Sequence, residues 1–287
     1  MNLKTPRVET PSGKDADYEN FPVGSWLLPA HLRPHIARYY RFARAIDDIA
    51  DNPALSADEK ISRLSGFERA IKGDGLEQPA YVTGYEMRAS LIETQVPDQH
   101  CLDLITAFKQ DAVKSRYANW QELVDYCLLS AAPVGRYLID LHGGTDDGYG
   151  PSDALCIALQ VINHLQDCQE DYLEMDRVYI PGDWMAAENV GAESLKESHL
   201  SKPFRRVLDQ VISATSDLMP DARKLPGGLH SRRLAMESQA IINIAECLIE
   251  RLLRGDPLAT RIKLSKPIYV LCCVRGLAGW FAPKHPH

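Results

Sequence analysis

The sequence predicts an all-α protein, and three observations carry that prediction. Apolar residues recur three and four apart over long stretches, successive segments open on a capping residue or a proline, and continuous β-branched alternation is scarce. Helices with one apolar stripe must bury it against one another, which favours a bundle. The 287 residues, 45% hydrophobic and 25% charged, have an ordinary globular composition with ample material for a large core. Residues 1–17 read as a flexible N-terminal arm, polar and punctuated by Pro6, Pro11 and Gly13, and residues 18–287 as a single helical domain.

Phe21 to Pro29 is apolar but interrupted by two prolines, so only a short helix is expected there. Pro34 suits a first helical turn, and the helix it opens runs to Asp51-Asn52, before Pro53. Ser56-Ala57-Asp58-Glu59 has the form of a capping box for a helix through Ile71, closed by Gly73-Asp74-Gly75. Met87, Leu91 and Ile92 mark a helix that ends before Pro97. Two more are expected, from about 98 to 117 and from about 119 to 141. Pro133 should kink the second, and Ser130, Ala131, Ala132 and Gly135 either leave room beside the kink or pack a neighbouring helix closely. Gly143 to Gly150 is a loop without a preceding strand or phosphate-loop spacing, and Ser152 is the expected cap of the next helix. Further helices are expected over about 188–200, 202–218, 221–225 and 231–254, the last with Leu234, Ile241, Leu248 and Leu252 on its apolar stripe.

The net charge of −7 and the absence of any basic run argue against a nucleic-acid partner. The seven cysteines include no CxxC pair, and with the N-terminal sequence they suggest reduced core thiols in a cytoplasmic chain. No apolar run is long enough to span a bilayer.

Two acidic stretches stand out. On an ideal helix Tyr40, Arg44, Asp47, Asp48 and Asp51 fall within an arc of about 100°. Such a face is either a solvated acidic edge or a place for a cation, since desolvated carboxylates need partners. Gln160, Asn163, Asp167 and Asp171 share an arc of about 80° on a second helix, flanked by Leu155, Leu159, Ile162 and Leu165. Two acidic faces of similar spacing on largely apolar helices favour a shared metal cavity. Its metal should be hard and oxygen-seeking, because the nine histidines form no zinc pattern and His164 reads as packed or solvated. Arg38, Arg44 and Arg177 are either phosphate-binding groups or members of structural ion pairs.

The motifs Asp47-Asp48-Ile49-Ala50-Asp51 and Gln160-x-x-Asn163-x-x-x-Asp167-x-x-x-Asp171 resemble those of the squalene/phytoene synthase family of all-α isoprenoid enzymes. The Tyr126-Cys127 pair and Arg261 to Pro267 match as well, and the similarity spans about residues 18–270. Glu19 to Val23, Tyr40 to Arg44 and Ser130 to Arg136 resemble the bacterial hydroxysqualene synthase branch of hopanoid biosynthesis. Condensing members have a His-x-x-Ser-Phe-like segment where this chain has Asp17 to Phe21, and Val-Ala-Gly-x-Val-Gly where it has Ser130 to Gly135. These departures point away from condensation of two farnesyl diphosphates.

The resemblance implies an isoprenoid-synthase-type bundle around a central apolar cavity, with the two Asp-rich helices facing each other. It implies a prenyl diphosphate substrate, presqualene diphosphate, that ionises, rearranges and captures water. Two or three Mg²⁺ ions would be held by Asp47, Asp48, Asp51, Asn163, Asp167 and Asp171, with no nicotinamide cofactor. Asn20, Phe21, Tyr40, Arg44, Ala132, Pro133, Gln160, Asn163 and Arg177 would contact substrate. Tyr126 would face the reacting centre, steadying a cation or orienting the water; the alternative is a core tyrosine. No residue declares itself as the base that activates water. The competing readings are a synthase condensing two prenyl diphosphates, a non-catalytic prenyl-diphosphate-binding protein and an unrelated Mg²⁺-dependent phosphohydrolase. A water-insoluble product implies functional coupling to other squalene-pathway enzymes or peripheral contact with the inner face of the membrane. The C-terminal apolar stretch, Ile268 to Val274 and Leu277 to Phe281, reads as a packed terminal helix in preference to a membrane contact.

Overall fold

Pro34 enters the first described helix, α1 (Arg33–Ala50), in its opening turn, where its missing N–H is no loss. The computed structural model describes residues 8–9 and 28–278, and its regular structure is helical except for one isolated bridge between Arg116 and Val178. Asn20, Phe21 and the stretch 279–281 lie outside the described residues.

α1 buries Ile36, Tyr39, Phe42, Ile46 and Ile49 and turns a second face, with Asp47 and Asp51, towards a cavity. α2 (Ala57–Lys72) begins with the expected capping box: the Ser56 hydroxyl accepts from the Glu59 amide at 3.3 Å, and the Glu59 carboxylate accepts from the Ser56 amide at 2.9 Å. It ends at Gly73, whose φ of +76° suits a residue without a Cβ. α3 (Val82–Thr94) and α4 (Gln99–Asp111) pack with α1 and α2 around Phe42, Phe67, Met87 and Leu104. α3 buries Met87 and Leu91 but turns Ile92 outward, 62% exposed. Two residues of the N-terminal arm are held against this unit. Ala80 accepts from the Val8 amide at 3.2 Å, and Thr83 donates to the Glu9 carboxylate at 3.2 Å.

The second half is built on α7 (Tyr149–Gln166) and α13 (Arg232–Arg254), the two helices richest in buried aliphatic residues. α5 (Trp120–Ser130), α6 (Ala132–Leu141) and α10 (Lys202–Ser216) pack around them, with the short helices α11 (Met219–Ala222) and α12 (Leu225–Gly228) at their margin. α8 (Cys168–Met175) and α9 (Gly182–Ala187) follow α7. Tyr39 of α1 and Tyr137 of α6 stack at 3.9 Å and join the two halves.

Several boundaries differ from the sequence expectation. The helix expected over 98–117 stops at Asp111, because residues 115–117 instead pair with the chain after α8: Ser115 accepts from the Val178 amide and Tyr117 from the Gly182 amide, both at 2.9 Å. The helix expected over 119–141 is broken, not kinked. Ala131 leaves helical geometry (φ −124°, ψ −45°), and Pro133 then sits in the first turn of α6, where no donor is required. α7 starts at Tyr149, so Ser152 is a buried residue of its first turn and not its cap. Residues 188–200 hold only a short 3₁₀ turn, Ala192–Lys196.

α14 (Lys266–Ala278) packs along α13, burying Cys272 and placing Gly276 against the Ala240 backbone, as expected of a packed terminal helix. Its Val270, Leu271 and Val274 are exposed. Among the described residues no helix is long and apolar enough to cross a membrane.

Candidate active site

A cavity of about 370 Å³ lies between the two halves, walled by α1, α4 to α8 and α13. Its acidic residues come from α1 on one side and from the end of α7 and the start of α8 on the other. Asp47, Asp51, Asn163, Asp167 and Asp171 all line it, as do Tyr40, Arg44, Tyr126, Gln160 and Arg177. An Arg177 Nη1 bond to Asp51 Oδ1, at 2.5 Å, joins the chain beyond α8 to the end of α1. The two acidic segments therefore face each other, as the two-helix expectation required. The second segment is not one continuous helix, however. Asp167 has φ −108° and ψ 8°, which breaks α7 from α8 between Asn163 and Asp171.

Arginines hold the carboxylates. Arg44 reaches Asp47 Oδ2 at 2.8 Å and Asp48 Oδ1 at 3.1 Å. Asp48 itself is buried outside the cavity wall, so it steadies Arg44 from behind. Arg261 pairs with Asp167: its Nη2 donates to Oδ2 at 2.8 Å, and its Nε lies 2.7 Å from Oδ1 in an ion-pair contact. Arg177 is buried, and donates through Nη2 to the carbonyls of Ala50 (3.1 Å) and Asp111 (3.4 Å). Burial disfavours its charge, but Tyr179, Asp51 and Asp111 beside it outweigh that and hold the guanidinium protonated.

Beneath this cluster lies a group that sequence reasoning missed. Asp111, at the end of α4, is buried and accepts from the Tyr126 hydroxyl at 2.7 Å and from the Tyr179 hydroxyl at 3.5 Å. Burial outweighs the Arg177 charge and these hydrogen bonds, and pushes its carboxyl up to about 6. Burial, then the Asp111 charge, holds the Tyr126 phenol well above its ordinary range, so it stays protonated and donating. Tyr117, Tyr126 and Tyr179 sit ring to ring at 5.2–5.6 Å, and His164 stacks on Tyr179 at 3.6 Å. Burial lowers His164 to about 3, so it is a neutral packed ring, in line with the sequence reading. Nothing in the local sequence marks Asp111, Tyr179 or Glu237 as cavity residues; each arrives there through helix packing. Arg261 was visible as part of a motif, but without a role.

Away from the charged groups the wall is apolar, with Leu28, Ile36, Leu155, Leu159 and Leu234 among its residues. Ala132 and Pro133, expected at the substrate, are buried but do not line the cavity; Ala131, Val134 and Gly135 take their place. The break at Ala131 sets this phase, because it restarts the helical rotation one residue before Ala132. Gly135 lets α6 approach α7 closely: a Cβ there would lie 2.2 Å from Ser152 Oγ.

The acidic set consists of hard oxygen donors spread along two segments. Among the described residues no three His, Cys, Asp or Glu side chains converge as a closed metal cage would require. This donor set fits Mg²⁺, which takes one or two carboxylates and completes its shell with water and phosphate oxygens, and does not fit a structural zinc site.

The sequence profile of the squalene/phytoene synthase family matches residues 15–267. The chain is 39% identical to the hydroxysqualene synthase of Rhodopseudomonas palustris over 264 residues, covering 92% of this chain and 89% of that protein. It is 39% identical to the hydroxysqualene synthase of Zymomonas mobilis over 257 residues, covering 89% and 86%. Its fold is similar to that of the squalene synthase HpnC from Alicyclobacillus acidocaldarius, with a TM-score of 0.71, 30% identity and coverage of 83% and 89%. A dehydrosqualene synthase shares the fold at a TM-score of 0.74 with 19% identity, covering 92% of each chain. A match of this extent, over a cavity with two facing acidic segments, places the chain in the squalene/phytoene synthase family.

Proposed function

We propose that this enzyme is a hydroxysqualene synthase, which ionises presqualene diphosphate and directs the resulting cation to hydroxysqualene. The observation that carries the reading is a single cavity joining facing arginine–aspartate clusters to an apolar body, in a chain 39% identical to hydroxysqualene synthases. The diphosphate binds at the charged end. Arg44 and Arg177 line the wall there, and a guanidinium can pass from a carboxylate to a phosphate oxygen without losing its planar hydrogen-bonding geometry. Asp47, Asp51, Asn163, Asp167 and Asp171 would hold Mg²⁺ together with the diphosphate; the metal, when bound, neutralises the leaving group's charge.

Charge develops on the departing oxygens as the C–O bond breaks, and fixed positive groups in a site shielded from water act most strongly on it. The hydrocarbon lies along the apolar wall, which keeps bulk water from the cation. Tyr126 offers its ring face to positive charge. Because its hydroxyl is committed to Asp111, that ring is held in one orientation.

The test is product identification after incubation with Mg²⁺ and either presqualene diphosphate or farnesyl diphosphate, without nicotinamide cofactor. Hydroxysqualene from presqualene diphosphate alone is the expected result. Product from farnesyl diphosphate alone would assign a condensing synthase instead, and binding without turnover would assign a carrier.

A further inference from the structure

Glu237 lines the same cavity from α13 and is 5% exposed. Its Oε2 is buried and finds no hydrogen-bond donor among the described residues, and the side chain forms no ion pair there. Four other carboxylates of the wall differ: Asp47, Asp51, Asp111 and Asp167 each face an arginine or a tyrosine hydroxyl. Leu234 and Ile241, three residues before and four residues after Glu237, share its face of α13 and line the cavity with it. Ser238 lines it beside them, so among the described residues Glu237 is the one ionisable group of this α13 face, set between two aliphatic residues and a hydroxyl along the part of the cavity suited to hydrocarbon. A buried carboxyl without a partner is costly, and groups of this kind are answered by water or a ligand. A hydrocarbon chain offers no hydrogen bond, which leaves water as the group that satisfies Oε2.

We infer that Glu237 holds the water that captures the carbocation and takes up the proton that water loses. The inference rests on the function proposed above. A lone pair of the water oxygen forms the C–O bond to the cationic carbon. One O–H bond breaks with its electron pair left on oxygen, giving the alcohol. The proton passes to the Glu237 carboxylate, which becomes a neutral acid and later returns it to solvent. Charge balances, since a cation, a water and a carboxylate become an alcohol and a carboxylic acid. Retaining this group on a packed helix costs stability, as functional polar groups in apolar sites do.

Burial alone raises the Glu237 carboxyl to about 8. The titratable groups facing it from α14 are Tyr269, raised to about 12 by burial, and Cys273, also raised by burial. On α7, Cys156 is raised to about 12 and His164 lowered to about 3, so all four are neutral near pH 8. The neighbouring charges of α10 to α12 are paired away from it, Arg205 with Asp209, Arg206 with Glu188, Arg223 with Glu246 and Lys224 with Asp221. Arg232 and Arg233 of its own helix are exposed.

The test measures hydroxysqualene formed per diphosphate released from presqualene diphosphate, a ratio insensitive to how much enzyme folds. In wild type the ratio should rise with pH and level off above about pH 8. Glu237→Leu should lower it by roughly tenfold or more, in favour of alkenes formed by proton loss from carbon. Glu237→Gln, which can still hold a water but cannot take its proton, should give an intermediate ratio with no pH dependence. An unchanged ratio in Glu237→Leu, or a wild-type pH profile in Glu237→Gln, overturns the inference and leaves the proposed function standing. No diphosphate release by wild type would remove both together. A crystal structure of the wild-type protein should show an ordered water on Oε2, and a dry Oε2 would also overturn the assignment.

Discussion

Tyr126 and Asp111 show how one buried pair shapes the site. The phenol donates to a carboxyl that burial already holds at about 6, against an ordinary 3.8. A carboxyl raised in the folded state favours folding fully below its unfolded value, and that contribution is lost as pH climbs from about 4 to about 6. Tyr126→Phe removes the donor and raises Asp111 further, so the loss extends to higher pH. Urea denaturation should show the variant less stable by about 1–3 kcal/mol at pH 8, and by clearly less at pH 5. Equal destabilisation at both pH values would mean that the phenol matters to packing alone. The arginines follow the same logic of committed partners. Arg177 ties Asp51 to the backbone of α1, so the acidic face is drawn into place before any ligand arrives.

α7 and α13 are the two helices on which the cavity depends, and small residues set how closely others approach them. Gly135 brings α6 onto α7, and Gly276 brings α14 onto α13. A Cβ at Gly276 would lie 2.6 Å from the Ala240 amide nitrogen, a contact with backbone that no rotamer change relieves. Gly276→Ala should therefore lower stability by about 1–3 kcal/mol in thermal or urea melts. Because Tyr269 and Cys273 of α14 lie near Glu237, the same variant should disturb the alcohol-to-alkene partition more than the rate of diphosphate release. An unaltered melting transition would show that α14 docks less tightly than its contacts imply.

The two halves of the molecule meet at the cavity, and a ligand bridging them should stabilise the fold by linkage. Among the described residues the carboxylates form no closed cage, so a bound Mg²⁺ would need ligands from the diphosphate as well. The melting temperature should rise by less than about 1 °C with millimolar Mg²⁺ or inorganic diphosphate alone, and by about 3 °C or more with both. A full rise with Mg²⁺ alone would indicate a preformed metal site and remove the shared-ligand reading.

The all-α class, the capping box at Ser56 and the two acidic segments were all legible in the chain, because each depends on residues within a few turns of one another. Local spacing also put Asp47 and Asp51 on one face, and this survived folding. It did not hold for Asp48, which shares the arc but is buried outside the cavity wall; Asp167 lines the cavity across the break between α7 and α8, while Ala132 and Pro133 do not line it, their phase being reset at Ala131. No periodicity could bring Arg261 to Asp167, Asp111 to Tyr126 or Glu237 to the cavity, since those pairings are set by how helices distant in sequence cross. The acidic segments on which the proposed ionisation rests thus lie in nearby residues, and their spacing could be read directly. The fate of the cation depends on buried groups whose meaning comes only from what surrounds them, because burial and the lack of a partner are properties of the packed molecule and not of the residue.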